Sequence, residues 1–226
     1  MAYKYVTFSF DDGVTQDRRL VDLFNRLKIR GTFNLNTGIQ SEDSQFDIGD
    51  IHVRRMNQEG LDSLYAGHEI AVHGRKHLAL TELNREEFDE EIVGDIQAIR
   101  KLYGRTPTGM AYAYGAYNKE VMDWLREAGL TYARTVEQTE RFDLPADYMA
   151  WHPTCHYHNE KLMDLLKEFE AAQPSHPIHF DVWGHSYEFD VHGDFSRFEN
   201  FCERVAANPG IHTVTNGEFV KMMRKI

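Results

Sequence analysis

The chain has 226 residues, a length that a single large α/β domain commonly occupies. Its composition, with 42% hydrophobic and 27% charged residues, is typical of a globular protein with an ordinary core and excludes a disordered chain. The formal net charge of −11 argues against nucleic acid or an anionic membrane surface as a partner, because both bind clustered lysine and arginine, and it is compatible with neutral or cationic substrates.

Short runs rich in β-branched and aromatic residues alternate about seven times with longer runs whose apolar residues recur at helical spacing. Two capping-box patterns, at Asn84 to Glu87 and at Ser196 to Glu199, mark predicted helix starts. In chain order the predicted elements are strand 5–10, helix 20–27, strand 32–35, a polar loop, helix 61–65, strand 69–72, helix 84–103, strand 110–113, helix 119–128, strand 131–134, helix 160–172, strand 178–183, helix 196–206, strand 211–215 and helix 218–224.

Strands that alternate with helices in this way pair in parallel through right-handed crossovers. Seven such units in this length fit a closed or nearly closed barrel better than an open sheet. The chain contains no internal repeat, no low-complexity tract and no Pro-rich linker. The sequence therefore predicts one α/β domain over residues 1–226, built as a barrel.

The N-terminal residues lack the basic stretch, apolar run and cleavage site of a secretory signal, and no window approaches 18 uninterrupted apolar residues. Cys155 and Cys202 are the only cysteines, too few for a disulfide scaffold, and each is interpreted as a reduced, buried residue. The expected compartment is therefore the cytoplasm, and no membrane partner is expected.

Reactive side chains fall at the ends of the predicted strands. Asp11 and Asp12 lie just past the first strand, His73 ends the third, Tyr114 follows the fourth and His185 follows the sixth. In β/α barrels the active site is assembled at the carboxyl ends of the strands. We therefore expect these residues, far apart in the sequence, to converge on one face of the barrel.

His73 and His77 lie four residues apart, a spacing that is weak on its own because His152 and His156 repeat it. An Asp-Asp-Gly run is likewise common in ordinary turns. Together, however, two imidazoles and one carboxylate form a facial ligand set that leaves positions open for water and substrate. One carboxylate of the Asp11–Asp12 pair would then bind an ion while its neighbour takes a proton from water.

Four segments, in order along the chain, resemble the motifs of the polysaccharide deacetylases, carbohydrate esterase family 4, whose domain is called the NodB homology domain. Thr7-Phe-Ser-Phe-Asp-Asp-Gly13 resembles the first motif, and His73-Gly-Arg-Lys-His77 resembles the His-Ser/Thr-x-x-His motif, with Gly74 in the Ser/Thr place. Tyr114-Gly-Ala-Tyr-Asn118 resembles the end of the Arg-Pro-Pro-Tyr-Gly motif. The strand that ends at Trp183 and His185 resembles the motif that carries the general-acid histidine.

The resemblance implies a distorted, TIM-barrel-like (β/α)7 fold and a hydrolase that removes acetyl groups from N-acetylated amino sugars or polysaccharides. One divalent ion, zinc first and cobalt, nickel or manganese as alternatives, would be bound by Asp12, His73 and His77. Asp11 would be the general base, the backbone N–H of Tyr114 would help to hold the oxyanion, and His185 would protonate the leaving amine. The implied partner is an acetylated amino sugar or oligosaccharide.

The chain departs from the family pattern where the partners of the catalytic residues are expected. Ala111 stands in the place of an arginine that braces the catalytic aspartate, and Arg75, inside the metal motif, is a candidate replacement. The family's Asp-x-x-x-Trp motif, whose aspartate tunes the acid histidine, corresponds loosely to 147–151. Trp183 and Tyr187, whose rings suit stacking on a sugar, are predicted with Arg75 to bind substrate, although aromatic rings at strand ends also serve in packing.

Several alternatives stay open at the level of sequence. The same machinery suits O-acetyl esters or small cyclic imides and ureides, and activity on paired N- and O-acetyl substrates would distinguish them. Loss of the motif arginine also allows a different class, a non-catalytic protein that binds metal or carbohydrate. The run 153–158, Pro-Thr-Cys-His-Tyr-His, is either a loop with local hydrogen bonds, a second metal site or part of the substrate cleft.

Overall fold

The computed structural model describes residues 3–225, so residues 1, 2 and 226 of the predicted domain lie outside it. The strands are β1 (Lys4–Asp11), β2 (Thr32–Leu35), β3 (Gln45–Ile48), β4 (Ile51–Arg54), β5 (Glu69–Val72), β6 (Gly109–Ala111), β7 (Tyr132–Arg134), β8 (Cys155–His156), β9 (Ile178–His185) and β10 (Ile211–Thr213). The helices are α1 (Asp17–Leu27), α2 (Leu61–Leu64), α3 (Arg85–Phe88), α4 (Gly94–Tyr103), α5 (Lys119–Glu127), α6 (Leu162–Ala171), α7 (Glu188–His192), α8 (Phe195–Ala207) and α9 (Asn216–Met223).

Within residues 3–225, seven strands pair in parallel in the order β7-β6-β5-β2-β1-β9-β8, and β10 pairs with the first half of β1. The two ends of this sheet, β7 and β8, meet through residues 151–156, the last two of which form β8. Trp151 N–H donates to the carbonyl of Ala133 in β7 (3.1 Å), the Trp151 carbonyl accepts from Thr135 N–H (2.8 Å), and β8 pairs with β9. The curled sheet is thereby closed into a distorted (β/α) barrel, which confirms the predicted fold class.

The alternation of side chains along β1 determines which residues reach the barrel interior. On the outer face, Phe8 packs with its ring centroid 5.0 Å from that of Phe24 in α1 and 6.0 Å from that of Phe198 in α8. Successive strand side chains point to opposite faces. The residues on the inner face are therefore Thr7, Ser9 and Asp11. Asp11 is thus delivered to the interior at the carboxyl end of the strand.

Most predicted elements are confirmed to within a few residues at each end. The capping box at Asn84 is also confirmed, because its side chain accepts from the N–H groups of Glu86 and Glu87. The capping box predicted at Ser196 is wrong, since α8 already begins at Phe195. The second box lies instead at Thr215, where it caps α9.

The polar loop predicted after the second strand contains a β-hairpin. β3 and β4 pair antiparallel through a two-residue turn, in which Gly49 takes the left-handed conformation (φ +58°) that such turns need. A bridge between Val14 and Arg55 docks the hairpin beside the end of β1. The hairpin therefore delivers side chains to the same face of the barrel as Asp11.

Apolar side chains form one main cluster between the sheet and the surrounding helices. Cys155 and Cys202 are buried in it and unpaired, as predicted. In the part of the chain that the structure describes, no helix is long and apolar enough to cross a lipid bilayer.

Candidate active site

A cavity of about 470 Å³ opens at the carboxyl ends of the barrel strands. It is lined by every residue predicted to bind metal or take part in catalysis, namely Asp11, Asp12, His73, His77, Tyr114 and His185. The predicted convergence of these side chains on one face is therefore confirmed. Trp183 and Tyr187 also line the cavity, whereas Arg75 borders a different one.

Asp12, His73 and His77 offer ligand atoms that all lie within 4.8 Å of one another. The Nδ1–H of His73 donates to the carbonyl of Ala111 (2.9 Å), which leaves the lone pair of Nε2 available. This Nε2 is buried and has no hydrogen-bond partner among residues 3–225. A buried imidazole nitrogen without a partner, beside a second imidazole and a carboxylate, fits a divalent metal ion.

The backbone around these ligands is held in uncommon conformations. Asp12 (φ +83°), His77 (φ +60°) and Tyr114 (φ +57°) all lie in the left-handed region and all line the cavity. Such conformations cost free energy in residues other than glycine and persist only where surrounding contacts fix them. The concentration of this strain at one cavity is typical of a functional site.

A buried carboxylate holds the loop that carries His73 and His77. A π turn (Asp89–Val93) between α3 and α4 places Glu91, which is 2% exposed, beneath this loop. Its carboxylate accepts from the N–H groups of Lys76 (2.9 and 3.0 Å) and Leu78 (3.0 Å). Gly74 has φ +80°, and a Cβ there would lie 2.6 Å from the Glu91 carboxylate, so glycine is required at this point.

Asp11 is paired with a fully buried arginine from β7. Arg134 donates to both carboxylate oxygens of Asp11 (2.6 and 2.5 Å), and its Nε donates to Ser9 Oγ (3.1 Å). Asn34 also donates to Asp11, at 2.8 Å. Burial by itself raises the pKa of Asp11, but the positive charges beside it, that of Arg134 above all, outweigh burial and lower that pKa to about 2. Asp11 is therefore a carboxylate throughout the neutral range.

His185 ends β9, the strand that pairs with β1. Its Nε2 lies 4.0 Å from Asp11 Oδ2. Its Nδ1 lies 3.3 Å from one oxygen of Glu188, and the other oxygen of Glu188 is 2.9 Å from Nε2 of His156. Burial lowers the pKa of His185, but the adjacent carboxylates of Glu188 and Asp11 raise it overall to about 9. Near neutral pH this imidazole is therefore protonated and can donate a proton.

Residues 1–133 of the chain match the model of a family described as polysaccharide deacetylase. The chain belongs to this family. No protein of curated function is significantly similar to it in sequence.

Solved structures of the family share the fold along almost the whole chain. A Mycobacterium smegmatis structure assigned to the polysaccharide deacetylases superposes with a TM-score of 0.71 at 16% identity, covering 99% of this chain and 91% of that one. A family 4 acetyl xylan esterase from Clostridium thermocellum in complex with a cobalt ion gives a TM-score of 0.65 at 12% identity, covering 99% and 93%. A family 4 carbohydrate esterase from Streptomyces lividans in complex with acetate gives 0.59 at 17% identity, covering 94% and 93%.

Other members of the family are matched over only part of their length. The chain spans 55% of a Streptococcus pyogenes deacetylase and 44% of a polysaccharide deacetylase from Bacillus cereus. At identities this low, structural likeness establishes the fold, and chemistry has to be argued from the site itself.

The arginine that braces the catalytic aspartate in the family is replaced here by Arg134, one strand further along the sheet. The proposed replacement by Arg75 is wrong. Arg75 is exposed, its side chain packs against Gly38 and Gly94, and it lies outside the cavity that contains Asp11. Sequence reasoning missed Arg134 although it ends a predicted strand, the position that led to the other site residues.

The tuning role suggested for Asp147 is also wrong. Its carboxylate accepts from the N–H of Met149 (2.8 Å) and pairs with Arg126 (2.7 Å) on the surface. Glu188, three residues after His185, occupies the place beside the acid histidine. The presence of a glutamate three residues after His185 was the sequence signal that could have identified Glu188.

The histidines of the run that follows β7 differ in their surroundings. His152 hydrogen-bonds to Thr135 (2.7 Å) and His158 to Asp194 (2.6 Å), so both are held locally. His156 reaches the active site through Glu188. His156, His185 and Glu188 also lie close enough together to hold an ion.

Two aromatic residues of the cavity pack against the side chains of Arg134 and His185. The guanidinium of Arg134 lies 4.6 Å from the ring centroid of Trp183, and Tyr187 stacks on the ring of His185 at 5.1 Å. Trp183 and Tyr187 are 9% and 7% exposed. Tyr114 is 71% exposed and contacts His77 edge-on, so it is the aromatic ring most open to a ligand.

Proposed function

We propose that this deacetylase-family chain forms one catalytic domain over residues 1–226 and hydrolyses the N-acetyl group of an amino sugar or amino-sugar polymer. The observation that carries the proposal is the pair formed by Asp11 and His185 in the lining of the cavity. Asp11 is held ionised by Arg134, and His185 is held protonated by Glu188, beside the three ligands of a metal site. Two titratable groups whose pKa values are driven apart are the usual basis of acid–base assignments.

Asp12, His73 and His77 are the residues that would hold the ion. A divalent ion there supplies Lewis-acid chemistry to acyl transfer. Zinc is the first candidate because it favours sites of mixed nitrogen and oxygen ligands, with cobalt, nickel and manganese as alternatives. The Clostridium relative that was solved with cobalt supports a divalent metal of this class.

The residues of the chain would divide the proton transfers between them. Asp11 takes a proton from the water that adds to the carbonyl carbon of the acetyl group. The backbone N–H of Tyr114 helps to hold the oxyanion that results. His185 then donates a proton to the nitrogen as the C–N bond breaks, and acetate and the free amine are released.

The test is acetate release from N-acetylglucosamine oligomers by the zinc-loaded protein. Asp11→Asn should abolish turnover and keep the metal, because Asp12 supplies the ligand. The exposed Asp22→Asn in α1 is the matched control and should behave as wild type. Wild-type protein that retains stoichiometric zinc but releases no acetate from any N- or O-acetyl substrate would contradict the proposal and favour a non-catalytic binding protein.

Hydrolysis of O-acetyl esters is the second candidate, supported by the acetyl xylan esterase among the similar structures. The same base, metal ligands and acid would serve both reactions, since only the leaving atom differs. Rates on matched N-acetyl and O-acetyl sugars decide between them.

A further inference from the structure

Arg55 enters the active-site cavity from the hairpin β3–β4. Its side chain is 9% exposed and donates from one terminal nitrogen to Asp12 Oδ1 at 2.8 Å. The guanidinium carbon lies 5.3 Å from the ring centroid of Phe46, which also lines the cavity. The position of Arg55 is therefore fixed both by a carboxylate and by an aromatic ring.

Arg55 is incompletely paired by the protein. Its Nε is buried and finds no hydrogen-bond acceptor among the residues that the structure describes. A buried guanidinium with an unpaired donor is unfavourable, so such groups usually have a further partner.

Arg134, in the same barrel, is an arginine whose three guanidinium nitrogens all donate hydrogen bonds to the protein. Its nitrogens reach both oxygens of Asp11, Ser9 Oγ and the carbonyl of Thr135. Among the residues that the structure describes, Arg55 makes a single side-chain hydrogen bond, to Asp12, and it lines the cavity. The difference between the two arginines indicates that Arg134 is paired within the protein and that the guanidinium of Arg55 has N–H groups left for a ligand in the cavity.

We infer that Arg55 binds an oxyanion group, a carboxylate or a phosphate, on the acetylated substrate and so selects an acidic amino sugar. A planar guanidinium matches these anions in geometry as well as charge. Asp12 joins Arg55 to the metal ligands, its Oδ1 lying 3.9 Å from His77 Nε2. The anionic group would therefore sit on the same sugar ring as the acetyl group.

This inference rests on the proposed function in one respect, that the substrate carries an acetyl group. The binding of an anionic group by Arg55 does not depend on the proposed function. It also goes against the expectation from net charge, which favours neutral or cationic substrates. Charge summed over the whole surface affects long-range attraction, whereas selection inside a small cavity depends on the groups that line it.

The experiment compares binding of three probes to zinc-loaded protein by calorimetry: N-acetylglucosamine, N-acetylmuramic acid, which adds a carboxylate to the same ring, and N-acetylglucosamine 6-phosphate. Wild type should bind at least one acidic probe more tightly than the neutral sugar. Arg55→Met should reduce that preference by about 10- to 100-fold, the loss expected for a charge-assisted hydrogen bond. Arg55→Lys should reduce the preference for the acidic probe less than Arg55→Met does, because lysine keeps the positive charge but lacks the planar, bidentate guanidinium.

Arg54→Met, at the exposed last residue of β4 and next to Arg55 in the chain, is the matched control and should leave the preference unchanged. Zinc content is measured for each variant, and the Arg55 variants should retain it. Equal binding of all three probes by wild type, or equal weakening of all three in Arg55→Met, would overturn the inference. Acetate release is followed separately, so a preference without turnover would sink the proposed function alone, and turnover without a preference would sink this inference alone.

Discussion

Replacement of Arg134 by methionine tests the pairing on which Asp11, the proposed general base, depends. The side chains of Arg134 and Asp11 are 0% and 3% exposed. Removing one partner of such a buried pair leaves the other charge without compensation, at a cost of about 3–5 kcal/mol. The lowering of the Asp11 pKa from 3.8 to about 2 gives a smaller figure, roughly 2–3 kcal/mol. We expect Arg134→Met to lower the free energy of unfolding at pH 7 by an amount in this range.

The same change should alter the dependence on pH. The pKa of Asp11 is depressed in the folded protein, so its contribution is present above pH 4 and is lost as the pH falls towards 2. Without Arg134, burial acts with less opposition and the pKa of Asp11 rises. The acidic limb of the pH–rate profile should therefore move to higher pH, and acid unfolding should begin at higher pH.

Urea unfolding followed by circular dichroism and a pH–rate profile measure the two effects. Arg126→Met is the matched control, because its pair with Asp147 is exposed on both sides and is expected to contribute only about 0–1 kcal/mol. Arg134→Met combined with Asp11→Asn should recover part of the stability, since no buried charge is left unpaired. If Arg134→Met unfolds within about 1 kcal/mol of wild type and keeps the same acidic limb, the bracing role is refuted.

Three further outcomes are expected. His73→Ala or His77→Ala should lower bound zinc sharply, measured by elemental analysis, without loss of the circular dichroism spectrum; full occupancy in both would mean that the metal site is misassigned. Glu91→Gln should weaken zinc binding about 10-fold or more, because the amide has no negative charge and replaces the second acceptor of Lys76 N–H by an NH2 donor; unchanged affinity would make Glu91 a purely structural residue. Glu188→Gln should lower the pKa of His185, so the alkaline limb of the pH–rate profile moves to lower pH; an unmoved limb would exclude Glu188 as the partner of the acid.

Local periodicity was sufficient to predict the order of strands and helices and to favour a barrel over an open sheet. Strand β1 is buried along almost its whole length, so its hydrophobic run stood out in the sequence. The same reasoning placed Asp11, His73 and His185 at strand ends, and the cavity brings them together. Arg134 also ends a predicted strand, but the family motif places its arginine at the position of Ala111, so the motif did not indicate Arg134.

The residues that sequence reasoning missed depend on contacts between distant segments. The alternation from Phe46 to Val53 around a Gly-Asp turn does indicate a hairpin. Nothing local, however, indicates that it docks against Val14 and so brings Arg55 to Asp12. Glu91 was hidden for a different reason, since the π turn rotates it inward from where a regular helix would place it.

The segment 151–156 completes the ring of strands beside the Arg134–Asp11 pair. Its bridge to β7 is made at Arg134 itself, paired with Trp151. If the ring opened at this point, water would reach the Arg134–Asp11 pair and screen it, and a pair that is strong because it is buried would weaken to the level of a surface pair. The ionisation of Asp11 therefore depends on a stretch of chain that carries none of the proposed metal ligands. Local unfolding of that stretch would weaken the Arg134–Asp11 pair, and with it the proposed base, before the whole fold was lost.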